Sequence, residues 1–130
     1  MLFFCSHDWT FKKPLHFLGI KKFLGPNFNR ARNLADRFIF HLENLLDWFV
    51  HQNHMGFIAS SILMAYESDS SFGIKWNDGQ EINGYRNSDV LVKLIDFTHV
   101  LPISDVDDNC IFAIESLIKY FLRVKTDSNY

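Results

Sequence analysis

Apolar residues recur at three- and four-residue steps along Arg32–Gln52, which is the spacing of an amphipathic helix. The apolar stripe of this segment consists of Leu34, Ala35, Phe38, Ile39, Leu42, Leu45, Leu46 and Phe49. Asn29 or Asn33 is suited to cap the helix at its amino terminus. We therefore predict one long helix that buries this stripe.

Two further segments have helical spacing. The segment near the carboxyl terminus carries apolar residues at Ile111, Ile114, Leu117, Ile118 and Phe121. Asp107 or Asp108 is suited to cap this helix. A shorter helix is predicted after Pro14, with an apolar face formed by Leu15, Leu18 and Phe23.

Two apolar segments of strand length lie between the long helices. Phe57–Glu67 is apolar and partly β-branched, which predicts a strand, and Val90–Phe97 is apolar on both faces, which predicts a buried strand. The polar residues 68–89 connect them, with a small ribbon predicted around Ile74–Trp76, whereas residues 1–13 show no period. The order helix, strand, long connection, strand, helix predicts an α+β fold in which antiparallel strands pack on helices.

Composition narrows the class of protein. The chain of 130 residues is 48% apolar and contains 14 Phe, so it can bury a core. Some of the Phe side chains are expected to pack against a surface that does not belong to this chain. Its net charge of -2 argues against a nucleic-acid-binding protein. The sequence has neither a signal-peptide pattern nor a run long enough to span a membrane. We expect an intracellular protein, nuclear or cytoplasmic, in which Cys5 and Cys110 are free thiols; a disulfide between them is the alternative.

Asp96 ends the second predicted strand, where an unpaired carboxylate costs free energy. One interpretation is a turn residue that caps local backbone amides. The other is a ligand for Mg²⁺, which prefers one or two carboxylates together with phosphate oxygens and water. Kinases hold the magnesium ion on ATP with an acid of this kind. The residues alone leave both interpretations open.

Three further polar residues accompany Asp96. His99 follows in the loop that leaves the strand and is either an ordinary loop histidine or a hydrogen-bond donor to a phosphate. Ser60 and Ser61 begin the other strand, although serine is disfavoured in strands. Their hydroxyls are either satisfied by the backbone or lie near a bound phosphate or metal. His51 and His54 have i, i+3 spacing, but no further ligands complete a zinc site.

These segments, taken in order, resemble the inositol polyphosphate kinase family, and most closely its multikinase branch. The family shows S-S-x-L, then I-D-F-A-H, then an acidic step into a helix with G-L-x-x-L-I. In this sequence, similar segments occur in the same order at residues 60–63, 95–99, 107–109 and 113–118. Thr98 stands where the family has Ala, and Ala113 stands where it has Gly.

The resemblance implies the carboxyl-terminal lobe of a protein-kinase-like (SAICAR-synthetase-like) fold. It also implies transfer of the γ-phosphoryl group of ATP to a hydroxyl of an inositol phosphate, with Mg²⁺ as cofactor. Asp96 would bind the metal and the nucleotide, and Ser60 and Ser61 would lie beside the nucleotide phosphates. Ser61 and His99 would take part in catalysis, with His99 on the inositol phosphate side of the cleft.

The family motif P-x-x-x-D-x-K-x-G and the family's amino-terminal lobe have no counterpart in the sequence. We therefore expect residues 1–130 to form a single partial domain, a fragment with weak or no activity alone. ATP and an inositol phosphate are the expected ligands, with no nucleic acid and no stable membrane insertion. The alternative is a non-catalytic lobe remnant that binds a protein partner through an exposed apolar face.

Overall fold

The structure, a computed structural model, describes residues 2–5, 13–66, 75–77, 80–82 and 90–127, with side chains described for 17–66 and 90–127. The helices are α1 (Lys13–Leu24), α2 (Phe28–His51) and α3 (Asp108–Thr126). The strands are β1 (Leu2–Cys5), β2 (Met55–Ile58), β3 (Ser61–Tyr66), β4 (Lys75–Asn77), β5 (Gln80–Ile82), β6 (Val90–Ile95) and β7 (His99–Pro102). All pairings between strands are antiparallel. The predicted α+β fold is confirmed.

Helices α2 and α3 pack against each other and form most of the core. The buried residues of α2 are Ala31, Leu34, Ala35, Phe38, Ile39, Leu42 and Phe49. Those of α3 are Cys110, Ala113, Ile114, Leu117, Phe121 and Val124. At the contact, the rings of Phe38 and Phe121 stack with their centroids 5.1 Å apart. Burial of each such side chain contributes about 1.5–3 kcal/mol, so the two predicted apolar stripes hold the helices together.

The helix caps agree with the sequence only in part. Helix α2 begins one turn earlier than predicted, and its cap is Asn27, not Asn29 or Asn33. The side chain of Asn27 accepts a hydrogen bond from the Arg30 amide at 3.0 Å. The apolar period did not reveal this first turn because Asn29 and Arg30 separate its apolar residues Phe28 and Ala31. Helix α3 is capped by Asp107, one of the two predicted residues.

The predicted apolar face of α1 is confirmed for Phe23, which is partly buried and packs against the core, and is wrong for Leu18. Leu18 is 60% exposed, whereas Phe17, Ile20 and Leu24 are buried. The guanidinium of Arg123 in α3 lies 3.9 Å from the centroid of the Phe17 ring, which favours this face through a cation–π contact. The side chain of Leu15 lies outside the described residues.

The strands form a three-stranded sheet in the order β1-β3-β6 and two pairs, β2-β7 and β4-β5. The predicted strand Phe57–Glu67 is divided into β2 and β3. The loop predicted to contain His99 is instead strand β7, which begins at that residue, and the segment predicted to be irregular contains β1. Most of residues 68–89 lie outside the described part, but β4 and β5 form the small ribbon that was predicted. None of the described helices combines the length and apolar character that a membrane crossing requires.

A single buried carboxylate joins α3 to the strands. One oxygen of Asp107, Oδ1, accepts the amide of Cys110 at 3.0 Å, and the other, Oδ2, accepts the amide of Phe57 at 2.7 Å. The neighbouring Gly56 is close-packed, because a Cβ there would lie 2.9 Å from Ile103 Cγ2. The start of α3 is therefore held directly against β2.

Replacement of Asp107 by Ala is expected to lower the free energy of unfolding by about 2–4 kcal/mol, because the helix loses its cap and the Phe57 amide loses its buried acceptor. Urea denaturation followed by circular dichroism measures the change. The matched control is Asp108→Ala, which removes an exposed acid from the first turn of the same helix and should cost less than about 1 kcal/mol. Equal losses in the two variants would contradict the bridging role of Asp107.

Candidate functional site

The candidate residues lie where the ribbon β2-β7 continues into the pair β3-β6. The last pair of the ribbon is Ile58–His99, and the first pair of the sheet is Ser61–Ile95. Between these pairs, two residues on one strand lie opposite three on the other. This unequal count is a local irregularity of the bulge type, and such irregularities are common beside active sites. We refer to residues 59–60 and 96–98 as the strand break.

The strand break contains two residues in the left-handed region. Ala59 has φ 57° and Asp96 has φ 67°, and they are the non-glycine residues with positive φ in the part of the chain that the structure describes. Asp adopts this conformation readily, whereas for Ala it costs about 1–2 kcal/mol. Strained backbone of this kind persists where the surrounding structure imposes it. The unequal strands therefore fix the backbone on which Asp96 is displayed.

The Asp96 side chain is exposed, and its Oδ1 accepts a hydrogen bond from the Thr98 hydroxyl at 2.9 Å. Within residues 13–66 and 90–127 this is the hydrogen bond that the carboxylate makes, and no backbone amide donates to it. The carboxylate thus does not cap its own turn, which was one of the two interpretations of the sequence. Thr98 is a contact that the sequence analysis missed, because spacing alone does not indicate that its hydroxyl points back to residue 96.

Ser61 and His99 border the strand break that contains Asp96. Ser61 is half-buried and pairs with Ile95, the residue before Asp96, and His99 is exposed and starts β7. Ser60 differs from both because it is only 2% exposed. The structure thus places Ser61, Asp96 and His99 in or next to the strand break, where Asp96 and His99 are exposed, whereas Ser60 is buried.

Behind the strand break is a buried polar cluster that the sequence analysis did not identify. It consists of Ser60, Asp107 and Cys110. Asp107 and Cys110 bond the backbone of Phe57, and the Ser60 hydroxyl lies near the Cys110 thiol. Asp107 accepts the Phe57 amide, and the Cys110 thiol lies 4.0 Å from the Phe57 carbonyl, to which it donates. The Ser60 hydroxyl has no well-aligned hydrogen-bond partner among the described residues. Two side chains at the start of α3 thereby bond both the amide and the carbonyl of Phe57.

Burial raises the pKa of the Cys110 thiol to about 12, and the charge of Asp107 and its hydrogen bond act in the same direction. The nearby Ser60 hydroxyl lowers that pKa by less than the other effects raise it. The thiol is free and buried, which confirms the prediction of a free Cys110 and excludes its disulfide with Cys5. Cys110 therefore acts as a weak donor and a small apolar residue.

The arrangement is suited to a metal ion that takes most of its ligands from water and phosphate, and not to one whose ligands all come from the protein. Among the described residues no group of three or more His, Cys, Asp and Glu side chains is placed to hold a metal. One exposed carboxylate with a free oxygen fits Mg²⁺, which keeps water and phosphate oxygens as its remaining ligands. His51 bonds the Asp47 carbonyl at 2.7 Å instead of pairing with His54.

Comparison with solved structures identifies the fold. The chain is similar to the structure of the inositol phosphate multikinase Ipk2 of S. cerevisiae in complex with ADP and Mn2+, with a TM-score of 0.61 and 21% identity over 85% of this chain. It spans 44% of that chain. The fold is therefore that of part of a kinase of this type.

The model of the inositol polyphosphate kinase family matches residues 10–122. The chain belongs to the inositol polyphosphate kinase family, as its sequence motifs predicted. A search of curated protein sequences finds no match.

Replacement of Ala59 by Gly is expected to raise the free energy of unfolding by up to about 1 kcal/mol, because relief of the left-handed strain exceeds the entropy cost of glycine. Ala59→Val, the matched control, should lower it, since a β-branched residue tolerates positive φ poorly. Chemical denaturation measures both. Destabilisation by Gly together with tolerance of Val would contradict the left-handed conformation at residue 59.

The thiol of Cys110 is expected to resist alkylation in the folded protein. The difference between 9.0 and about 12 corresponds to roughly a thousandfold less thiolate. Iodoacetamide labelling of a Cys5→Ser variant at pH 8, with and without urea, measures this. Because folding favours the protonated thiol, its contribution to stability is complete below pH 9.0 and falls as the pH rises toward about 12. Equal labelling rates in the folded and unfolded chain would contradict the buried position.

Proposed function

We propose that this chain contributes the magnesium- and nucleotide-binding part of a kinase that transfers the γ-phosphoryl group of ATP to a hydroxyl of an inositol phosphate. One observation carries the proposal. Asp96, in a member of this family, is an exposed carboxylate in the left-handed conformation at the end of β6, and its neighbour along the strand pairs with Ser61. An acid with an oxygen free for Mg²⁺, which takes its other ligands from phosphate and water, is how kinases hold the ion that bridges the ATP phosphates.

Each residue has a separate task in this proposal. Asp96 would hold Mg²⁺, and the bound ion neutralises charge on the ATP phosphates. The hydroxyl of Ser61 would donate a hydrogen bond to a nucleotide phosphate oxygen. His99, which is exposed at the start of β7, would donate to a phosphate of the inositol substrate. Ser60 is buried, so we assign it to support of the strand break instead of contact with the nucleotide.

Two findings support a nucleotide and a divalent cation as ligands. The similar yeast multikinase was determined with ADP and Mn2+. The acid of this chain has one oxygen engaged by Thr98 and one left for a cation. Since the chain spans 44% of that relative, we expect slow phosphoryl transfer by these 130 residues alone. A nuclear or cytoplasmic location is part of the same proposal, because ATP is available in both.

Replacement of Asp96 by Asn is expected to weaken magnesium-dependent ATP binding at least about tenfold, which is 1.4 kcal/mol. Asn is the informative substitution, because it tolerates positive φ and its amide oxygen still accepts from Thr98, whereas Ala would add backbone strain. Calorimetric titration of the chain with ATP, with and without Mg²⁺, measures the change. Phosphoryl transfer from labelled ATP to inositol phosphates should also be lost.

The control for this experiment is Asp105→Asn, which neutralises an exposed acid in the segment between β7 and α3. It should bind ATP as the unmodified chain does. Nucleotide binding that does not depend on Mg²⁺, or that persists unchanged in Asp96→Asn, would refute the assignment of Asp96. Phosphoryl transfer that survives the substitution would refute the proposed reaction at this site.

Exposed apolar residues in the strand break and in the neighbouring ribbon β2-β7 favour a second function, that of an interaction module. Ile58 is 44% exposed, Phe97 58% and Leu101 49%. Such a patch is typical of a surface that a protein covers. The Asp96→Asn experiment separates the two functions, because a module that only binds a protein has no reason to bind magnesium–ATP through Asp96.

A further inference from the structure

We propose that Thr98 is a positioning residue that orients the Asp96 carboxylate for the cation. This inference rests on the proposed function, in which Asp96 binds the metal. The observation is the hydrogen bond of 2.9 Å from the Thr98 hydroxyl to Oδ1 of Asp96. Both residues are exposed and lie on the three-residue side of the strand break.

The hydrogen bond assigns different tasks to the two carboxylate oxygens. A hydroxyl has a single proton to donate, so Thr98 engages Oδ1 and leaves Oδ2 for the cation. Without that donor, an exposed aspartate side chain rotates between several orientations. Fixing the orientation before the cation binds lowers the entropy cost of binding. Partners that orient metal ligands in this way typically change affinity by about 10–100-fold, and less where water competes.

Threonine is suited to this task for a second reason. Its β-branched side chain has few rotamers, so its hydroxyl keeps a defined direction. The backbone beneath it is also constrained, because Asp96 has φ 67° and His99 is paired with Ile58 in the ribbon. The donor and the acceptor are therefore both held by the same irregularity of the strands.

A purely structural role for the same hydrogen bond makes a different prediction. A hydroxyl that only stabilises the turn would change the free energy of unfolding and would leave the affinity for the cation unaltered. A positioning residue changes the metal-dependent part of nucleotide binding and leaves the metal-independent part unaltered. The two roles are thus separable by measuring ATP affinity with and without a divalent ion.

The experiment compares Thr98→Val, which keeps the shape and removes the donor, with Thr98→Ser, which keeps the donor. Mn²⁺ binding to the chain in the presence of ATP is followed by electron paramagnetic resonance, and ATP affinity is also measured without metal. We expect Thr98→Val to weaken Mn²⁺ binding about three- to tenfold and Thr98→Ser to retain it within about twofold. Affinity for ATP without metal should be equal in all variants.

An Asp96→Asn/Thr98→Val double variant completes the test. If Thr98 acts through Asp96, Thr98→Val has no further effect on Mn²⁺ binding once Asp96 is replaced. If Asp96→Asn weakens binding but Thr98→Val does not, the positioning role is wrong and the proposed function stands. If Asp96→Asn has no effect, both fail, because there is no ligand to position. Should Thr98→Val not fold, Thr98→Ala against Thr98→Ser gives the same comparison.

Discussion

The buried carboxylate of Asp107 is the interaction on which the arrangement of the strands depends. It accepts one amide from Cys110 in the first turn of α3 and one from Phe57 in β2, which is fifty positions before Asp107. The thiol of Cys110 holds the carbonyl of the same Phe57. Most buried polar groups in folded proteins are satisfied in this way. The ribbon β2-β7 is therefore fixed to the end of a core helix, although all four residues of β7 are exposed.

This attachment explains why the strands are irregular where they are. The pair β3-β6 is fixed by its buried residues Ile62, Met64 and Val90, whereas β2 is fixed by Asp107. The two registers differ by one residue, and the strand break absorbs the difference. Because the two fixed parts over-determine the backbone between them, residues 59 and 96 can remain in a conformation that isolated residues disfavour. A rigid support on both sides is also what a metal ligand requires.

The structural features that depend on a local sequence pattern could be predicted from the sequence. Both long helices and the strand that ends at Asp96 follow from apolar spacing, and the Asp107 cap follows from its place before the last helix. The strand break could not be predicted in this way, because residues 57–67 read as one apolar run in which Ser60 and Ser61 are unusual but do not indicate a change of strand at Ala59. Strand β7 is short, exposed and ends in Pro102, so it lacks the alternation of a half-buried strand. The contacts of Asp107 with Phe57 depend on tertiary structure and leave no local signal.

The phenylalanine content bears on the choice between the two proposed functions. Phe17, Phe38, Phe49, Phe57 and Phe121 are buried, so much of the Phe that the sequence assigned to an outside partner is in the core. The exposed Phe40 and Phe112 lie on different helices and form no common surface with Phe97 that the contacts reveal. Phe97 is exposed and directly follows Asp96 in the chain. A protein that covered Phe97 would therefore lie close to the carboxylate, whereas magnesium–ATP binding requires the carboxylate to be open. We expect the two functions to compete at residues 96–97, so that a nucleotide bound there would count against a protein partner at Phe97.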